Sequence, residues 1–533
     1  MKSKGKNVVI VGAGMAGLTA AAYLVKENYQ VLLIDKNNRV GGLLSTFEKD
    51  GFFFDSGPRA FVNSGIVKPI LKELDIHLEY LENIISIRVE DKQMLIDSME
   101  KIKEYQRLLF QLYPENKTDI EKIISIISQL SEYTKVLYEF DNPNFGDVLQ
   151  NKKFVFRKLI PWTFKFLHAL RKFNQFNEPM EIYLKKLTNN QSLIDILTQF
   201  FFRQTPTYFA LGYFYVYLDY FYPKGGTGVL ASLVTERVLT GGGDIKLNTR
   251  IVEVDPSKSI VTDAEGESYQ YDHLIWAADL KTLYQNLNSV HLDETLKKQL
   301  ETQKVKVLSA KGAESVFILF LGVDRSSSYF LENGGSHMFF TPSKDGLGEI
   351  SRTERQLLVE SFDLKSKEDY LNWVEQYCRL NTYEVSIPAL RDPDLAPDGQ
   401  TGIMISCLFD YDIFEIIKNA GWYDEFKVKI ENQIISIFSE TVYKDLDQDV
   451  LFKFSSTPLS INKVSGSSEG AITGWSFESE VPVVNQLKDI PKSVLTPIPG
   501  IFQAGQWAYS PAGVPIAMLT GWYASQKIIK ETK

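Results

Sequence analysis

Six residues near the start of the chain, Gly12-Ala13-Gly14-Met15-Ala16-Gly17, have the spacing that lets a backbone cradle a pyrophosphate. They follow the apolar run Val8-Val9-Ile10-Val11 and open a helical pattern over residues 15–28, so the predicted order is strand, tight turn, helix. Gly12 takes the turn, Gly14 lets the backbone approach a phosphate, and Gly17 lets the helix pack closely on the sheet. The helix N-terminus adds free N–H groups and partial positive charge. Asp35 stands 21 positions after Gly14, where a carboxylate can hydrogen-bond a ribose hydroxyl. Arg39-Val40-Gly41-Gly42 follows, placing a cation and a close-approach backbone where a longer, internal diphosphate cofactor would continue, which favours FAD over NAD.

Little else in the composition competes with this chemistry. Five histidines (His77, His168, His273, His291 and His337) show no ligand spacing, so neither a metal centre nor a Ser-His-Asp mechanism is expected. Cys378 and Cys407 are too few for a disulfide framework and fit a reducing cytoplasm, with both expected in the core. The net charge of -9 argues against general nucleic-acid binding. No run of eighteen apolar residues occurs, and the apolar N-terminal run lacks a small-residue cleavage site, so the chain reads as unexported.

The elements that must position the loop are scattered. At 533 residues, two domains are the default. Residues 51–65 read as a strand and a sharp turn carrying Asp55-Ser56-Gly57-Pro58-Arg59. Helical spacing from Asp97 to about Leu137 begins a second, largely helical region. Strand and turn patterns then return at 222–254 and 271–279, and again at 500–507 before a last helix over about 515–529. This helix, guarded by Pro511-Ala512-Gly513-Val514-Pro515, can aim its dipole at a redox ring. The fold class expected is α/β: a discontinuous Rossmann-type FAD-binding domain (1–75, 220–300, 465–533) with an interleaved α+β substrate domain (76–219, 301–464).

Two stretches suggest an apolar ligand. Between residues 200 and 222, twelve of twenty-three positions are aromatic, enough to line a long apolar pocket, and Arg203 and Asp219 there would need partners. Residues 151–172 carry Lys152, Lys153, Arg157, Lys158, Lys165, Arg171 and Lys172 without an acid, interleaved with Phe154, Phe156, Trp162, Phe164 and Phe166. That mixture suits a surface sitting in anionic headgroups, and equally a solvated helix face; Pro161 is expected to break any continuous helix.

The chain resembles the FAD-dependent phytoene desaturase, carotenoid isomerase and retinol saturase group of the flavin amine oxidase superfamily. The likeness lies over about 1–75, 220–280 and 465–530, in the Gly12 to Gly17 loop, Arg39-x-Gly41-Gly42, Asp55-x-Gly57-Pro58, Tyr222-Pro223-Lys224-Gly225-Gly226, and Gly505 with the 511–521 stretch. The resemblance implies that Gly12, Gly14 and Gly17, with Ala13, Met15 and Ala16, hold the diphosphate. It places Asp35 and Lys36 at the adenosine ribose, and Arg39, Gly41, Gly42 and Leu43 along the phosphate and ribityl region. Gly57, Pro58 and Arg59 join the cofactor wall, the backbone at Val252 meets the adenine, and Gly505, Gln506, Gly513 and Val514 meet the ribityl and ring end. Asp35 stands where the family usually has glutamate, and Gln506 where it usually has an acid.

The resemblance implies an oxidoreductase that desaturates, saturates or isomerises carbon–carbon bonds of an apolar isoprenoid or polyene, with the partner electron carrier left open; peripheral membrane attachment is expected from residues 151–172. Candidate pocket residues are Arg59, Tyr213, Tyr217, Tyr220 and Glu469. An amine oxidase or porphyrinogen-oxidase-like flavoenzyme is the alternative, and a non-enzymatic prenyl-binding escort is a third reading.

Overall fold

In a computed structural model, residues 6–139, 145 and 155–532 are described. The run at 8–11 is buried from both sides as the middle strand, Asn7–Val11, of a five-stranded parallel sheet. Its neighbours are Gln30–Ile34 and then Asp244–Lys246 on one side, and His273–Trp276 and then Ile501–Gln503 on the other. Continuous apolar strands are what a parallel sheet covered on both faces requires. The strands come from three stretches far apart in the chain, the discontinuous α/β arrangement expected.

The helix after the first strand, Met15–Lys26, is rich in alanine and buried through Val25. That small-residue surface lets the C-terminal helix Val514–Thr532 lie directly on it: a Cβ on Gly521 would stand 2.2 Å from the Ala16 carbonyl oxygen.

A seven-stranded sheet forms the other half, in the order Val450–Ser456, Ser315–Val323, Thr401–Phe409, Tyr383–Ser386, His337–Thr341, Ile85–Val89 and Lys92–Ile96. Only the pairing of His337–Thr341 with Ile85–Val89 is parallel within it. One face packs on Trp373, Phe426 and Phe438 from the helices Lys367–Leu380 and Tyr423–Thr441. Against part of the opposite side stand Ile102–Leu112, Lys117–Tyr138 and Thr207–Val216, the helical region expected from residue 97 onward.

Pro161 does not break the basic helix. It sits at the start of Ile160–Phe173, directly after the π-helical turn Val155–Leu159, so the helical path runs through it with a change from π to α pairing. Lys152, Lys153 and Phe154 lie outside the described residues. Among the described residues, no helix is long and apolar enough to cross a membrane.

Candidate functional site

The glycines of the fingerprint divide into two physical kinds. Gly12 (φ +106°) and Gly17 have no room for a side chain, since added Cβ atoms would come within 2.6 Å of the Ala277 oxygen and 1.9 Å of the Gly12 oxygen respectively. Gly14 has ordinary dihedrals (φ -75°) and nothing within 4 Å of a would-be Cβ. Its missing side chain therefore opens a cradle at the N-terminus of Met15–Lys26, the end of a helix that attracts anions. Gly41 lies over this turn, its N–H donating to the Ala13 carbonyl at 2.8 Å. Gly42 follows at φ +61°, with a Cβ position 3.2 Å from Gly14 Cα. Gly57 closes the wall, its Cβ position 2.0 Å from the Leu43 carbonyl, with Pro58 next in the turn.

Asp35 ends the second strand, and its carboxylate accepts the N–H of Ala13 at 2.7 Å and of Asn37 at 2.8 Å. The shorter acid is thereby fixed beside the turn, with lone pairs left for a ribose. Arg39 is exposed, with no ion pair or hydrogen bond among the described residues. Lys36 reaches across to Gly466, and burial lowers its pKa. Val252 sits at an irregularity where pairing jumps from Ile251 to Glu253, so it has no residue directly opposite it in that ladder. These features suit an FAD: a phosphate cradle that a Cβ would fill and an orienting acid beside it.

At the opposite end Gly505 (φ +93°) is tied to the last helix, its N–H donating to Thr520 Oγ1 at 2.9 Å. Gln506 turns inward, donating to Ser467 Oγ and the Ala471 carbonyl, both at 3.2 Å. Beyond lies a cavity of about 460 Å³, in the size range of small-molecule sites. Ala512, Gly513 and Ile516 bound it at the start of Val514–Thr532, and the aromatic run supplies Phe201, Tyr213 and Tyr220. A smaller recess of about 50 Å³ continues past Phe201 and Tyr213 to Tyr217.

The sequence-derived candidates separate here. Tyr213 and Tyr220 face the cavity with their hydroxyls 2.7 Å apart, and Tyr217 lies behind them, its buried hydroxyl without a partner among the described residues. Arg59 is not on the cavity wall. It is buried beneath it, donating Nη1–H to the Asp55 carbonyl at 2.6 Å. Glu469 is also elsewhere: its carboxylate pairs with Lys281 at 2.7 Å and accepts the Gly312 N–H at 3.0 Å, pinning a loop. Arg203 pairs with Asp410 at 2.8 Å, and Asp219 accepts the Ser64 N–H at 2.6 Å.

The structure also brings up residues the sequence did not single out. Strand register aligns Phe339 with Glu384 and Glu384 with Ser406, setting all three on the cavity face of the sheet. Behind them runs a one-way chain of donors. Arg391 Nη1 donates to Asn83 Oδ1 at 2.5 Å, Asn83 Nδ2 to His337 Nδ1 at 3.1 Å, and His337 Nε2 to Glu384 Oε1 at 3.0 Å. Because the Asn83 oxygen is taken by Arg391, its amide hydrogens face His337 and set the Nε2–H tautomer. Burial holds the His337 pKa below its usual value, so the ring is neutral. Burial disfavours the Glu384 charge, while the His337 hydrogen bond and the Arg59 charge both favour the carboxylate form.

Comparison with known proteins agrees with this geometry. The family model of flavin containing amine oxidoreductases matches residues 15–377. A 4,4'-diapophytoene desaturase (4,4'-diaponeurosporene-forming) of Staphylococcus haemolyticus is 23% identical over 98% of this chain and 99% of its own. A 4,4'-diaponeurosporene oxygenase of the same organism is 22% identical over 98% and 97%. Among solved structures, a triple mutant of putrescine oxidase superposes with a TM-score of 0.61 at 13% identity, covering 99% of both chains.

The two kinds of glycine predict opposite failures. Gly14→Ala is expected to leave the thermal midpoint of flavin-free protein unchanged while weakening FAD about tenfold or more, by displacing charge-assisted hydrogen bonds. Gly17→Ala is expected to lower that midpoint, with an overpacking cost of about 1–3 kcal/mol or more. Thermal denaturation with and without FAD, together with flavin titration, checks both; an unaltered FAD affinity in Gly14→Ala would contradict the cradle.

Proposed function

The chain belongs to the flavin containing amine oxidoreductase family and is an FAD-dependent enzyme, and on that basis we propose that it acts on carbon–carbon bonds of a linear, apolar isoprenoid or polyene. The observation that carries this reading is the aromatic cavity, which ends at the N-terminus of the last helix. Likeness along almost the whole chain to a diapophytoene desaturase and a diaponeurosporene oxygenase supports it. Bound FAD supplies two-electron chemistry. In this reading residues 1–75, 220–300 and 465–533 hold FAD, and 76–219 and 301–464 shape the substrate space. Tyr213, Tyr220 and Phe201 exclude water and hold a flat, extended chain against the last helix's first turn.

Desaturation, saturation and isomerisation share this geometry. Purified FAD-loaded protein is expected to change the visible absorbance of linear polyenes in detergent or liposomes, because desaturation and saturation change the conjugated length and isomerisation changes the shape of the absorbing chain. Hydrogen peroxide release from amines or a porphyrinogen, with no polyene converted, would instead establish the oxidase alternative. Membership of a flavoenzyme family sets the escort reading aside.

A water-insoluble substrate needs a route from its membrane, and the segment around residue 160 fits one. Phe156, Ile160, Phe164 and Leu167 recur on one helical side and are 40–71% exposed. Arg157, Lys158, Lys165 and Arg171 are exposed beside them, with no ion pair among the described residues. The inward side of the same helix carries Trp162, bonded through Nε1 to the Val136 carbonyl at 2.8 Å, and Phe173, which lines the cavity. Apolar side chains out, cations alongside and the cavity behind suit shallow insertion among anionic lipids. The double substitution Phe156→Ser with Phe164→Ser is expected to abolish cosedimentation with anionic liposomes while leaving flavin content intact. Full retention of binding would place the contact elsewhere.

A further inference from the structure

A pure hydrocarbon would leave the polar wall of this cavity unmatched. A third of the Glu384 side chain, 33%, is open, and the opening is into the cavity. Its carboxylate receives the His337 Nε2–H at 3.0 Å and the Ser406 Oγ–H at 3.4 Å, whereas a carboxylate can accept about four hydrogen bonds. Seating hydrocarbon against it would strip water from a charge and return nothing.

The same wall holds a donor. In the Tyr213–Tyr220 pair one hydroxyl donates to the other, so one phenolic proton is left over for a ligand. Both phenols stay protonated, because burial raises the Tyr213 pKa to about 12 and the Tyr220 pKa well above its usual value. The Glu384 charge reaches both, and the Tyr220 ring stands edge-on to His337 with centroids 5.8 Å apart. An acceptor and a spare donor therefore share one part of the cavity, where Glu384 is the one acid among the lining residues.

Building on the polyene reading above, we propose that the substrate is oxygenated: a linear polyene or isoprenoid bearing a hydroxyl group that donates to Glu384 and accepts from the Tyr213–Tyr220 pair. A hydroxyl has both capacities; a carbonyl cannot donate, and a carboxylate is repelled. An ammonium cannot accept the spare phenolic proton. Arg59 and Arg391 stand against Asp55 and Glu384, each arginine interacting with both acids, and His337 is neutral. The chain from Arg391 through Asn83 to His337 positions the carboxylate so that its open side faces the cavity.

The test is direct binding, measured on FAD-loaded protein by fluorescence quenching with a linear polyene alcohol and the hydrocarbon of equal carbon count and conjugation. The parent is expected to bind the alcohol about tenfold tighter or more, as a hydrogen bond to a buried charge implies. Glu384→Leu should invert the preference by favouring the hydrocarbon. Glu384→Gln, which keeps an acceptor without the charge, should narrow it, and this decides the matter if Glu384→Leu loses its flavin. Equal binding of the two ligands by the parent, or an unaltered preference in the variants, overturns the hydroxyl site and leaves the polyene reading standing. A parent that binds neither ligand but takes a long-chain amine overturns both.

Discussion

Asp55 is fully shielded from solvent, yet its carboxylate accepts four hydrogen bonds: from Thr46 Oγ1 at 2.7 Å, Tyr222 Oη at 2.7 Å, and the Thr227 N–H and Oγ1 at 2.8 and 2.9 Å. A buried carboxylate without such partners would be strongly destabilising, so the folded chain is committed to bringing these segments together. Asp55 begins the turn that carries Gly57 against Leu43, on the cofactor side. Tyr222 ends the aromatic run that lines the cavity, and Thr227 precedes the helix Val229–Thr240. One carboxylate thus fixes the wall beside the glycine loop and the wall of the aromatic cavity relative to each other. Arg391 lies over the Tyr222 ring at 3.9 Å, which extends the same join to the His337–Glu384 chain.

The cofactor half was legible in the sequence because its requirements are steric and short-range. Gly12 and Gly17 have no room for a Cβ, and Gly14 needs open space, so residue identity follows almost directly from backbone path. The aromatic run was legible for a related reason: so many large rings in one segment must bury area together.

The polar wall was hidden by register. His337, Glu384 and Ser406 are far apart in the chain and meet because three strands align, so inspection of histidine spacing could not join them. One trace was present: Glu384 is a charged residue set between Tyr383 and Val385, which are buried on the opposite face of the same strand. Arg59 and Glu469 misled in the opposite direction. Each neighbours a glycine turn, but Arg59 braces the Asp55 turn from below and Glu469 is spent on Lys281 and Gly312. Pro161 was read as a breaker because its place at the change from π to α pairing depends on where the α-helix starts.

In the function proposed above, the cavity presents a long unsaturated or saturated carbon chain to the flavin for exchange of a hydride. The most direct test is the flavin absorbance of oxidised, FAD-loaded protein mixed without oxygen with liposomes carrying linear polyenes or their more saturated precursors. The account predicts bleaching by a precursor, or conversion of a polyene only after the flavin has been reduced. An absorbance indifferent to every chain, together with bleaching by amines, would contradict it.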